Sequence, residues 1–465
     1  MTTGAFVDYW ALTARLSDIH RTRSRGAAEL LRVQRARLQG LLTHARDRSA
    51  FSRERYAGVR PDVPLEELPV VTKRELMERF DDAVTDPAVT RERVAAFVAD
   101  RSRIGQPFLE RYTVWKSSGT RGEPGWFVQD PQAMLTYQAL VGVQLQSPRL
   151  ASAYGLGLMR RSGRAALLAA SDEHFASIAY WRRAAQSSPW SWTRDLSIMQ
   201  PTAAWVAALN EFNPAFLASY PSVFKLLGDE KRAGRLAIAP HILWCGGEHM
   251  SASLRLELER TFGCPVINEY GASECLSIAF GCTAGWLHVN ADWVILEAVD
   301  RHYRAVDPGE LSDTVLLTNL ANHVQPIIRY DLGDRVVLKP EPCPCGNPLP
   351  AIRVEGRTDD LLTLTRHDGR AVTLLPLALT TAIEEEAGIH QFQIVQLGPR
   401  ELTLRLAAAE RASEATDALR RYLAQQGLEG IEIAISADPP RFEAGSGKLR
   451  QVVADTQAMH VPFED

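Results

Sequence analysis

The chain reads Tyr112-Thr-Val-Trp-Lys-Ser117-Ser118-Gly119-Thr120-Arg121-Gly122-Glu-Pro124 at the point that decides its fold. Glycines let a backbone approach an anion closely, and serine and threonine hydroxyls can donate hydrogen bonds to phosphate oxygens. Turns of the same composition also occur in loops that bind nothing. The stretch therefore predicts a phosphate-binding loop only if other motifs along the chain agree with it.

The bulk composition excludes several classes of protein. The chain has 465 residues, 46% of them hydrophobic, which is enough for two or more domains with a large core. The net charge of −4 gives no basic excess, so we expect no nucleic-acid partner. Because the sequence has no apolar run of about 18 residues and no secretory start, we expect no membrane partner and a cytoplasmic location. Six cysteines in a chain of this length do not suggest a disulfide scaffold.

Short apolar runs alternate with helical patterns between residues 112 and 340, which predicts an α/β protein with helix-covered sheets. The runs include 153–159, 216–220, 242–245, 265–268 and 315–318. Nearer the N-terminus, residues 27–46 predict a helix whose buried face carries Leu31, Leu38, Leu42 and Ala45. Further along, Thr72 and Glu75 predict a capping box at a helix start.

A second pattern begins after Gly356. Residues 392–397, 402–406 and 431–435 are strand-like, and 376–387 and 411–426 are helical. The sequence therefore predicts two domains, a large α/β domain over residues 1–356 and a small α+β domain over residues 357–465.

Five short motifs follow one another in a fixed order. They are Ser117–Pro124, Trp244-Cys-Gly246-Gly247-Glu248, Asn268-Glu269-Tyr270-Gly271-Ala-Ser273-Glu274, Arg329-Tyr330-Asp331-Leu-Gly333-Asp334 with Gly356-Arg357-Thr-Asp359-Asp360, and Gly445-Ser446-Gly447-Lys448-Leu-Arg450. The last is not a P-loop of the Walker type, which would need glycine in place of Phe442 and serine or threonine in place of Leu449.

Together the motifs resemble the acyl-adenylate-forming, or AMP-binding, superfamily of acyl-CoA synthetases, nonribosomal adenylation domains and luciferases. Within it the chain is most similar to the phenylacetate–CoA ligase branch, over roughly residues 30–455. The resemblance implies a large N-terminal adenylate-forming domain and a small mobile C-terminal domain that rotates about a hinge at Asp359.

The resemblance also implies a role for each motif. The catalytic residues would be Lys448, Glu274 and Thr120, with Lys448 bridging the acyl carboxylate and the α-phosphate, and Glu274 binding Mg²⁺. Tyr270 would stack on adenine and Asp334 would accept hydrogen bonds from the ribose hydroxyls. The implied nucleotide-binding residues are Ser117, Ser118, Gly119, Thr120, Gly122, Gly246, Gly247, Glu248, Glu269, Tyr270, Gly271, Ser273, Asp334, Arg357 and Lys448.

The implied activity is ATP-dependent adenylation of a small carboxylic acid, aryl in this branch, with pyrophosphate release and transfer of the acyl group to CoA. Residues 361–376 depart from the turn that usually helps to line the CoA tunnel. An amine, a carrier protein or nitrite chemistry therefore stays open as the acceptor. A non-catalytic nucleotide-binding protein is the alternative of another class. Many relatives are dimers, and Trp10 is the residue that we expect at a homodimer contact.

Four metal-ligand side chains are grouped in the sequence as Cys282, His288, Cys343 and Cys345. Three thiolates and one imidazole suit a closed, tetrahedral, structural Zn²⁺ site. Cys275 is the alternative ligand, whereas Cys245 and Cys264 are expected in the core. Such a site would join the segment after Glu274 to the segment after Asp334.

Overall fold

The fold is described from a computed structural model that places residues 9–60, 63–117, 125–186, 192–355, 361–407, 409–441 and 450–454. Seven of the sequence-predicted site residues lie outside these ranges, namely Ser118, Gly119, Thr120, Gly122, Arg357, Asp359 and Lys448.

Helices surround the sheets along the whole of the described chain. They are α1 (Tyr9–Ser24), α2 (Ala27–Arg48), α3 (Ala50–Arg55), α4 (Lys73–Glu78), α5 (Phe80–Ala83), α6 (Arg91–Ala99), α7 (Pro131–Gln144), α8 (Pro148–Arg161), α9 (Ala176–Gln186), α10 (Thr202–Phe212), α11 (Pro221–Arg232), α12 (Ala252–Phe262), α13 (Pro376–Ala387) and α14 (Ala412–Gln425). No helix among the described residues is long and apolar enough to cross a membrane.

The strands run from residue 113 to residue 454. They are β1 (Thr113–Lys116), β2 (Trp126–Gln129), β3 (Ala165–Ala169), β4 (Thr193–Ser197), β5 (Phe216–Ser219), β6 (Ile242–Cys245), β7 (Val266–Ala272), β8 (Cys275–Gly281), β9 (Leu287–Val289), β10 (Val294–Val299), β11 (Thr314–Asn319), β12 (Ile327–Asp331), β13 (Arg335–Leu338), β14 (Ala351–Glu355), β15 (Leu362–Thr365), β16 (Ala371–Leu374), β17 (Phe392–Gly398), β18 (Glu401–Leu406), β19 (Glu432–Ser436) and β20 (Val452–Ala454).

A nine-stranded sheet in the order β13-β14-β9-β8-β7-β6-β5-β3-β4 forms the centre of the molecule. Its β4-β3-β5-β6-β7 half is parallel, and the remaining pairings are antiparallel. Because β6 and β7 are parallel neighbours, their carboxyl ends lie at the same edge of the sheet. This edge carries the second and third sequence motifs, and it is where ligands bind in open α/β sheets.

Smaller sheets surround this one. Strands β10, β11 and β12 form an antiparallel sheet, and β1 and β2 form a hairpin. After residue 361, β15 pairs with β16, and β19-β18-β17-β20 form a four-stranded sheet beside α13 and α14. One apolar cluster includes buried residues from the parallel half of the central sheet and from this C-terminal unit. The α/β class is confirmed, while the domain boundary at 356/357 falls outside the described residues and stays a prediction.

Most of the strand and helix predictions agree with the structure, but residues 153–159 form part of helix α8, so the predicted strand there is wrong. Gly157 explains the error, because glycine is typical of turns and strand bends, whereas here it serves packing. A β-carbon on Gly157 would lie 2.6 Å from the ring of Phe216 on β5. The true strand in this region is β3, whose run of alanine and leucine is apolar but contains no β-branched residue.

The N-terminal helix predictions need one correction. Leu38, Leu42 and Ala45 are buried as predicted, but Leu31 is 49% exposed. The buried stripe of α2 instead includes Leu30 and Leu41. The capping box is confirmed, since the Thr72 hydroxyl accepts from the Glu75 amide and the Glu75 carboxylate accepts from the Thr72 amide.

Candidate functional site

A single cavity of about 2220 Å³ opens at the carboxyl edge of the parallel strands and extends to the C-terminal unit. The C-terminal unit contributes Leu361, Pro376, Leu377 and Thr380 to its wall. Every predicted nucleotide-binding or magnesium-binding residue within the described ranges lines it: Ser117, Gly246, Gly247, Glu248, Glu269, Tyr270, Gly271, Ser273, Glu274 and Asp334. The fold thus brings together motifs that are separated by more than 200 positions in the sequence.

The base of the predicted phosphate loop is closed by two hydrogen bonds. The Ser117 amide donates to the Gly125 carbonyl at 2.8 Å, and the Gly125 amide donates to the Ser117 hydroxyl oxygen at 2.9 Å. The two ends of the loop are therefore held side by side at the end of the β1–β2 hairpin. The interior of the loop, residues 118–124, lies outside the described residues.

Lys116, directly before this loop, is buried in an ion-pair cluster. Its ammonium lies 2.9 Å from a Glu173 oxygen and 2.7 Å from a Glu385 oxygen, and Arg101 also pairs with Glu173. Burial raises the pKa of Glu385 despite this contact. Burial also acts to raise the pKa of Glu173, but the hydrogen bond and charge of Lys116 outweigh it, so that this pKa is lowered. Since Glu385 belongs to α13, the cluster ties the C-terminal unit to the base of the loop.

The turn that carries Glu274 is fixed through its backbone. The Trp115 indole donates to the Ser273 carbonyl at 2.6 Å, and the Asn319 side-chain amide donates to the Glu274 carbonyl at 2.9 Å. The Glu274 carboxyl is 7% exposed, and burial raises its pKa although a hydrogen bond from Tyr330 lowers it. A carboxylate held in this way on the cavity wall offers the oxygen ligands that Mg²⁺ prefers.

Tyr270 and Asp334 meet across the cavity wall. The Tyr270 hydroxyl donates to a carboxylate oxygen of Asp334 at 2.8 Å. Gly333 adopts φ of +64°, a conformation that favours glycine, and its amide donates to the Asp331 carboxylate. Gly271 is required beside Tyr270, because a β-carbon there would lie 1.9 Å from the Leu276 carbonyl oxygen. The geometry thus places an aromatic ring next to a carboxylate that can accept hydrogen bonds.

Glu248 is held by the N-terminus of helix α11. Its carboxylate accepts from the Ser222 amide at 3.0 Å and from the Ser222 hydroxyl at 2.8 Å. Gly247, at φ of +78°, packs against Tyr220, whose ring would lie 3.0 Å from an added β-carbon. Gly247 is exposed on this part of the cavity wall, where a flat ligand can reach its backbone.

Glu269 has different neighbours from Tyr270, although the two are adjacent in the sequence. Its carboxylate accepts from the Trp244 indole at 2.8 Å and from the Ser277 hydroxyl at 2.7 Å. Burial raises its pKa, against these hydrogen bonds. The two residues therefore contact different parts of the wall of the same cavity.

The four predicted zinc ligands come together at the far ends of the strands that begin beside Glu274 and Asp334. The ligand atoms of Cys282, His288, Cys343 and Cys345 all lie within 4.8 Å of one another. The Nδ1 atom of His288 lies 2.9 Å from the Leu349 carbonyl, which leaves Nε2, 3.2 Å from the Cys345 sulfur, to face the thiols. This is the second-shell contact that orients metal-binding imidazoles. The donor set and its spacing fit Zn²⁺.

The remaining cysteines are separate from this cluster. Cys275, the alternative ligand, is buried in a different apolar cluster. Cys245 and Cys264 are buried in the core, as predicted. The turn after Cys345 is closed by Gly346 at φ of +81°, whose amide donates to the Cys343 carbonyl.

Sequence analysis missed two lysines of the site. Lys73 lines the cavity close to Glu274, and its charge lowers the pKa of that carboxyl. Lys73 directly follows the Thr72 cap, in a segment from which only the capping box was predicted. The role of Lys116 could not be predicted from a local sequence pattern, because its partners Glu173 and Glu385 are distant in the sequence.

The comparisons with known proteins agree with this geometry. Residues 192–308 match the sequence profile of the AMP-binding enzyme family. Protein CapK of Staphylococcus aureus is 26% identical over 198 residues, which are 41% of this chain and 41% of that protein. The match thus spans about two fifths of this curated relative.

Two solved structures share the fold over nearly the whole chain. A 2-hydroxyisobutyryl-CoA ligase in complex with 2-HIB-AMP and CoA, in the thioesterification state, is 21% identical, with 94% of this chain and 92% of that chain covered and a TM-score of 0.56. The same ligase with 2-HIB-AMP in the postadenylation state is 21% identical, with 93% and 91% covered and a TM-score of 0.52. At this identity the likeness establishes the fold.

Proposed function

We propose that this chain, in which residues 192–308 match the AMP-binding enzyme family, is an AMP-forming acid–thiol ligase of the phenylacetate–CoA ligase type. The enzyme converts a small carboxylic acid and ATP into an acyl-adenylate and pyrophosphate. It then transfers the acyl group to CoA and releases AMP.

One observation carries this proposal. All ten described residues that were assigned to nucleotide or magnesium binding from the sequence line one cavity, although they come from four separate motifs. Ordinary surface carboxylates and glycines of unrelated loops would not converge in this way. The shared fold with a ligase crystallised with an acyl-AMP supports the same conclusion.

The nucleotide would lie against the edge of β6 and β7. Adenine would stack on Tyr270 beside the accessible backbone of Gly246 and Gly247. Asp334 would accept hydrogen bonds from the ribose hydroxyls, where an ionised carboxylate suits two O–H donors. The loop that begins at Ser117 would hold the β- and γ-phosphates.

In the first half-reaction, a carboxylate oxygen of the acid attacks the α-phosphorus, and the bond to the β-phosphate oxygen breaks as pyrophosphate leaves. Lys448 and Arg357 would stabilise the negative charge that builds at the α-phosphate. Glu274 would hold Mg²⁺, which would neutralise negative charge on the phosphates. Lys73, next to Glu274, adds a further positive charge to this part of the wall.

In the second half-reaction, a thiol sulfur attacks the acyl carbonyl and AMP leaves with the electron pair of the broken bond. We propose that the C-terminal unit rotates about Asp359 between the two steps, as a hinged domain does. The Lys116–Glu385 ion pair would have to open or reform during that rotation, because its partners lie in the two moving parts.

The experiment that tests this proposal measures AMP and pyrophosphate release from MgATP across a panel of aryl acids, with and without CoA. We expect release of AMP and pyrophosphate only when an acid is present. When CoA is added, we expect the acyl group to be converted into the thioester. The Lys448→Ala variant should retain ATP binding and lose adenylation by orders of magnitude. ATP binding without turnover on any acid would contradict the proposal and favour a non-catalytic nucleotide-binding protein.

The departure of residues 361–376 from the usual CoA-tunnel turn favours a second candidate for the acceptor. In the structure this segment contains the β15–β16 hairpin, and Leu361 and Pro376 line the cavity. If acyl-AMP forms and CoA does not speed AMP release, the acceptor is an amine, a carrier protein or a species formed from nitrite.

The Asp334→Asn substitution tests the ribose contact. We expect ATP and AMP to bind more weakly by about 1–3 kcal/mol, because hydrogen bonds to a charged acceptor are replaced by bonds to a neutral one. Isothermal titration calorimetry measures this, with the exposed Asp307→Asn as the matched control. An unchanged ATP affinity in Asp334→Asn would remove this residue from the site.

A further inference from the structure

One carboxylate on the cavity wall has no step of its own in the reaction just described. Glu269 lines the cavity, and it is held in place by the Trp244 indole and the Ser277 hydroxyl. Neither contact touches the Tyr270–Asp334 pair that would bind the nucleoside. The Glu269 carboxylate is therefore held separately from the residues that would bind the nucleoside.

The donors around Glu269 are all neutral. Trp244, Ser277 and Gln144 are the described side chains that stabilise its carboxylate, and none carries a charge. A carboxylate removed from water without a cationic partner is costly, and natural proteins normally pair it. Among the residues that the structure describes, no lysine or arginine pairs with Glu269, so a positively charged group of a ligand could take that place.

Gln144 is a neighbour of Glu269. It is 7% exposed, and neither its Nε2 nor its Oε1 has a hydrogen-bond partner within strict bonding geometry among the described residues. It does not line the cavity, but its amide acts to lower the pKa of the Glu269 carboxyl. Gln144 is therefore a further neutral donor that supports Glu269, which is the group that faces a ligand.

Several aromatic side chains line the same cavity as Glu269. Tyr180 lines the cavity, where burial raises the pKa of its phenol and the charge of the nearby Glu269 carboxylate raises it further. Tyr154, Phe216 and Trp181 also line the cavity. A ligand here would need an apolar or aromatic body with a single polar group at the end that reaches Glu269.

We propose that the acid substrate carries a protonated amine at the end distant from its carboxylate, and that Glu269, assisted by Gln144, selects for this amine. The inference rests on the proposed adenylation of an acid in this cavity. The ammonium would supply the counter-charge that the Glu269 cluster lacks, while the aromatic walls bind the body of the acid. Glu269 would then determine substrate specificity. It would contact the acid rather than the nucleotide to which the sequence resemblance assigned it.

The test compares matched acids that differ in one group. Benzoate, phenylacetate and 3-phenylpropanoate, each with a 4-aminomethyl, 4-hydroxymethyl or 4-methyl group, are assayed for acid-dependent pyrophosphate release. We expect kcat/KM for the aminomethyl acid to exceed that for the methyl acid by at least about tenfold in one of the three lengths. In Glu269→Gln this preference should fall to near parity, and in Glu269→Leu it should reverse in favour of the methyl acid.

The outcomes separate this inference from the proposed function. Pyrophosphate release with the methyl acids at least equal to the aminomethyl acids, at all three lengths, would overturn the amine proposal and leave the ligase intact. A preference for the hydroxymethyl acid would also overturn it, because that would indicate a neutral hydrogen-bonding site. Release with no acid at all would instead count against the ligase.

Two controls keep the test decisive. The Glu211→Gln variant, which changes an exposed carboxylate with 74% of its side chain accessible, should retain the wild-type preference. If the Glu269 variants do not fold, the preference of the wild-type protein among the nine acids still decides the question. An amine preference that survives Glu269→Gln unchanged would show that another residue selects the amine.

Discussion

At the scale of single residues, three glutamates in neighbouring motifs have three different environments. Glu248 is bound to the N-terminus of a helix, Glu274 lies on the cavity wall beside Lys73, and Glu269 is surrounded by neutral donors. The sequence gives all three the same formal charge. What each carboxylate can do follows from its partners, which come from other parts of the chain.

Glu269 should make stability depend on pH in a defined direction. Burial raises its folded-state pKa above the ordinary value of 4.5. The stability it contributes is therefore fully present below pH 4.5 and is lost as pH rises through the raised pKa. The neutral Glu269→Gln variant should gain unfolding free energy relative to wild type as pH rises, by at most about 1.4 kcal/mol per pH unit.

Urea denaturation at several pH values between 4.5 and 8, without nucleotide, measures this difference. The exposed Glu211→Gln should show a difference from wild type that does not change with pH. If the Glu269→Gln difference is equally flat, Glu269 is not desolvated in the folded protein.

At the scale of helices and strands, close packing determines whether a glycine can be replaced by a larger residue. Gly155 and Gly157 lie two positions apart in α8, yet a β-carbon on Gly155 would meet nothing within 4 Å, whereas one on Gly157 would meet Phe216 at 2.6 Å. The helix can therefore approach β5 closely only at Gly157. This contact connects α8 to the central sheet beside the cavity.

The two glycines form a matched pair of variants. We expect Gly157→Ala to destabilise the protein by about 1–3 kcal/mol, because the added methyl forces Phe216 or the helix to shift. Gly155→Ala should be neutral or stabilising by up to about 1 kcal/mol, since alanine favours a helix. Equal effects of the two substitutions on urea denaturation would show that α8 does not pack on Phe216.

The zinc cluster acts at the same scale, because it would join the β8–β9 hairpin to the segment between β13 and β14. We expect about one equivalent of zinc in protein purified without added metal, as for closed structural sites. Cys343→Ser should lose it, while Cys264→Ser, a buried thiol outside the cluster, should retain it. Substoichiometric zinc that does not fall in Cys343→Ser would contradict the site.

At the scale of the whole molecule, the Lys116 cluster links the C-terminal unit to the central domain. The side chains of Lys116, Glu173 and Glu385 are 11%, 7% and 16% exposed, so the charges are shielded from water. Gln426 adds a hydrogen bond from its amide to the Met199 carbonyl at 2.8 Å. These polar contacts, together with the apolar cluster that both parts share, join the C-terminal unit to the rest of the molecule.

Replacement of Lys116 should lower the free energy of unfolding far more than replacement of a charged residue on the surface. Lys116→Met leaves two buried carboxylates without their shared partner, and we expect a loss of about 3–5 kcal/mol in unfolding free energy. Arg370→Met, which breaks an exposed pair with Asp368, should cost less than about 1 kcal/mol. Comparable losses in urea denaturation would mean that the Lys116 cluster is solvated.

Much of the fold could be predicted from the sequence where the pattern is local. Helix α13 begins and ends at the predicted residues 376 and 387, and β5, β6, β11, β17 and β18 match their predicted runs within a residue or so. The capping box at Thr72 was predictable because both partners lie within four residues. The prediction failed at residues 153–159, where a distant aromatic ring explains the glycine.

The sequence by itself determined the order of the motifs and their chemistry, because those depend on residue type and short spacing. Only the tertiary structure decided which residues share a cavity, that Lys116 pairs with Glu173 and Glu385, and that Glu269 contacts Trp244 rather than the Tyr270–Asp334 pair. These contacts join residues brought together by sheet pairing and apolar burial, which act over the whole chain, so no local pattern encodes them.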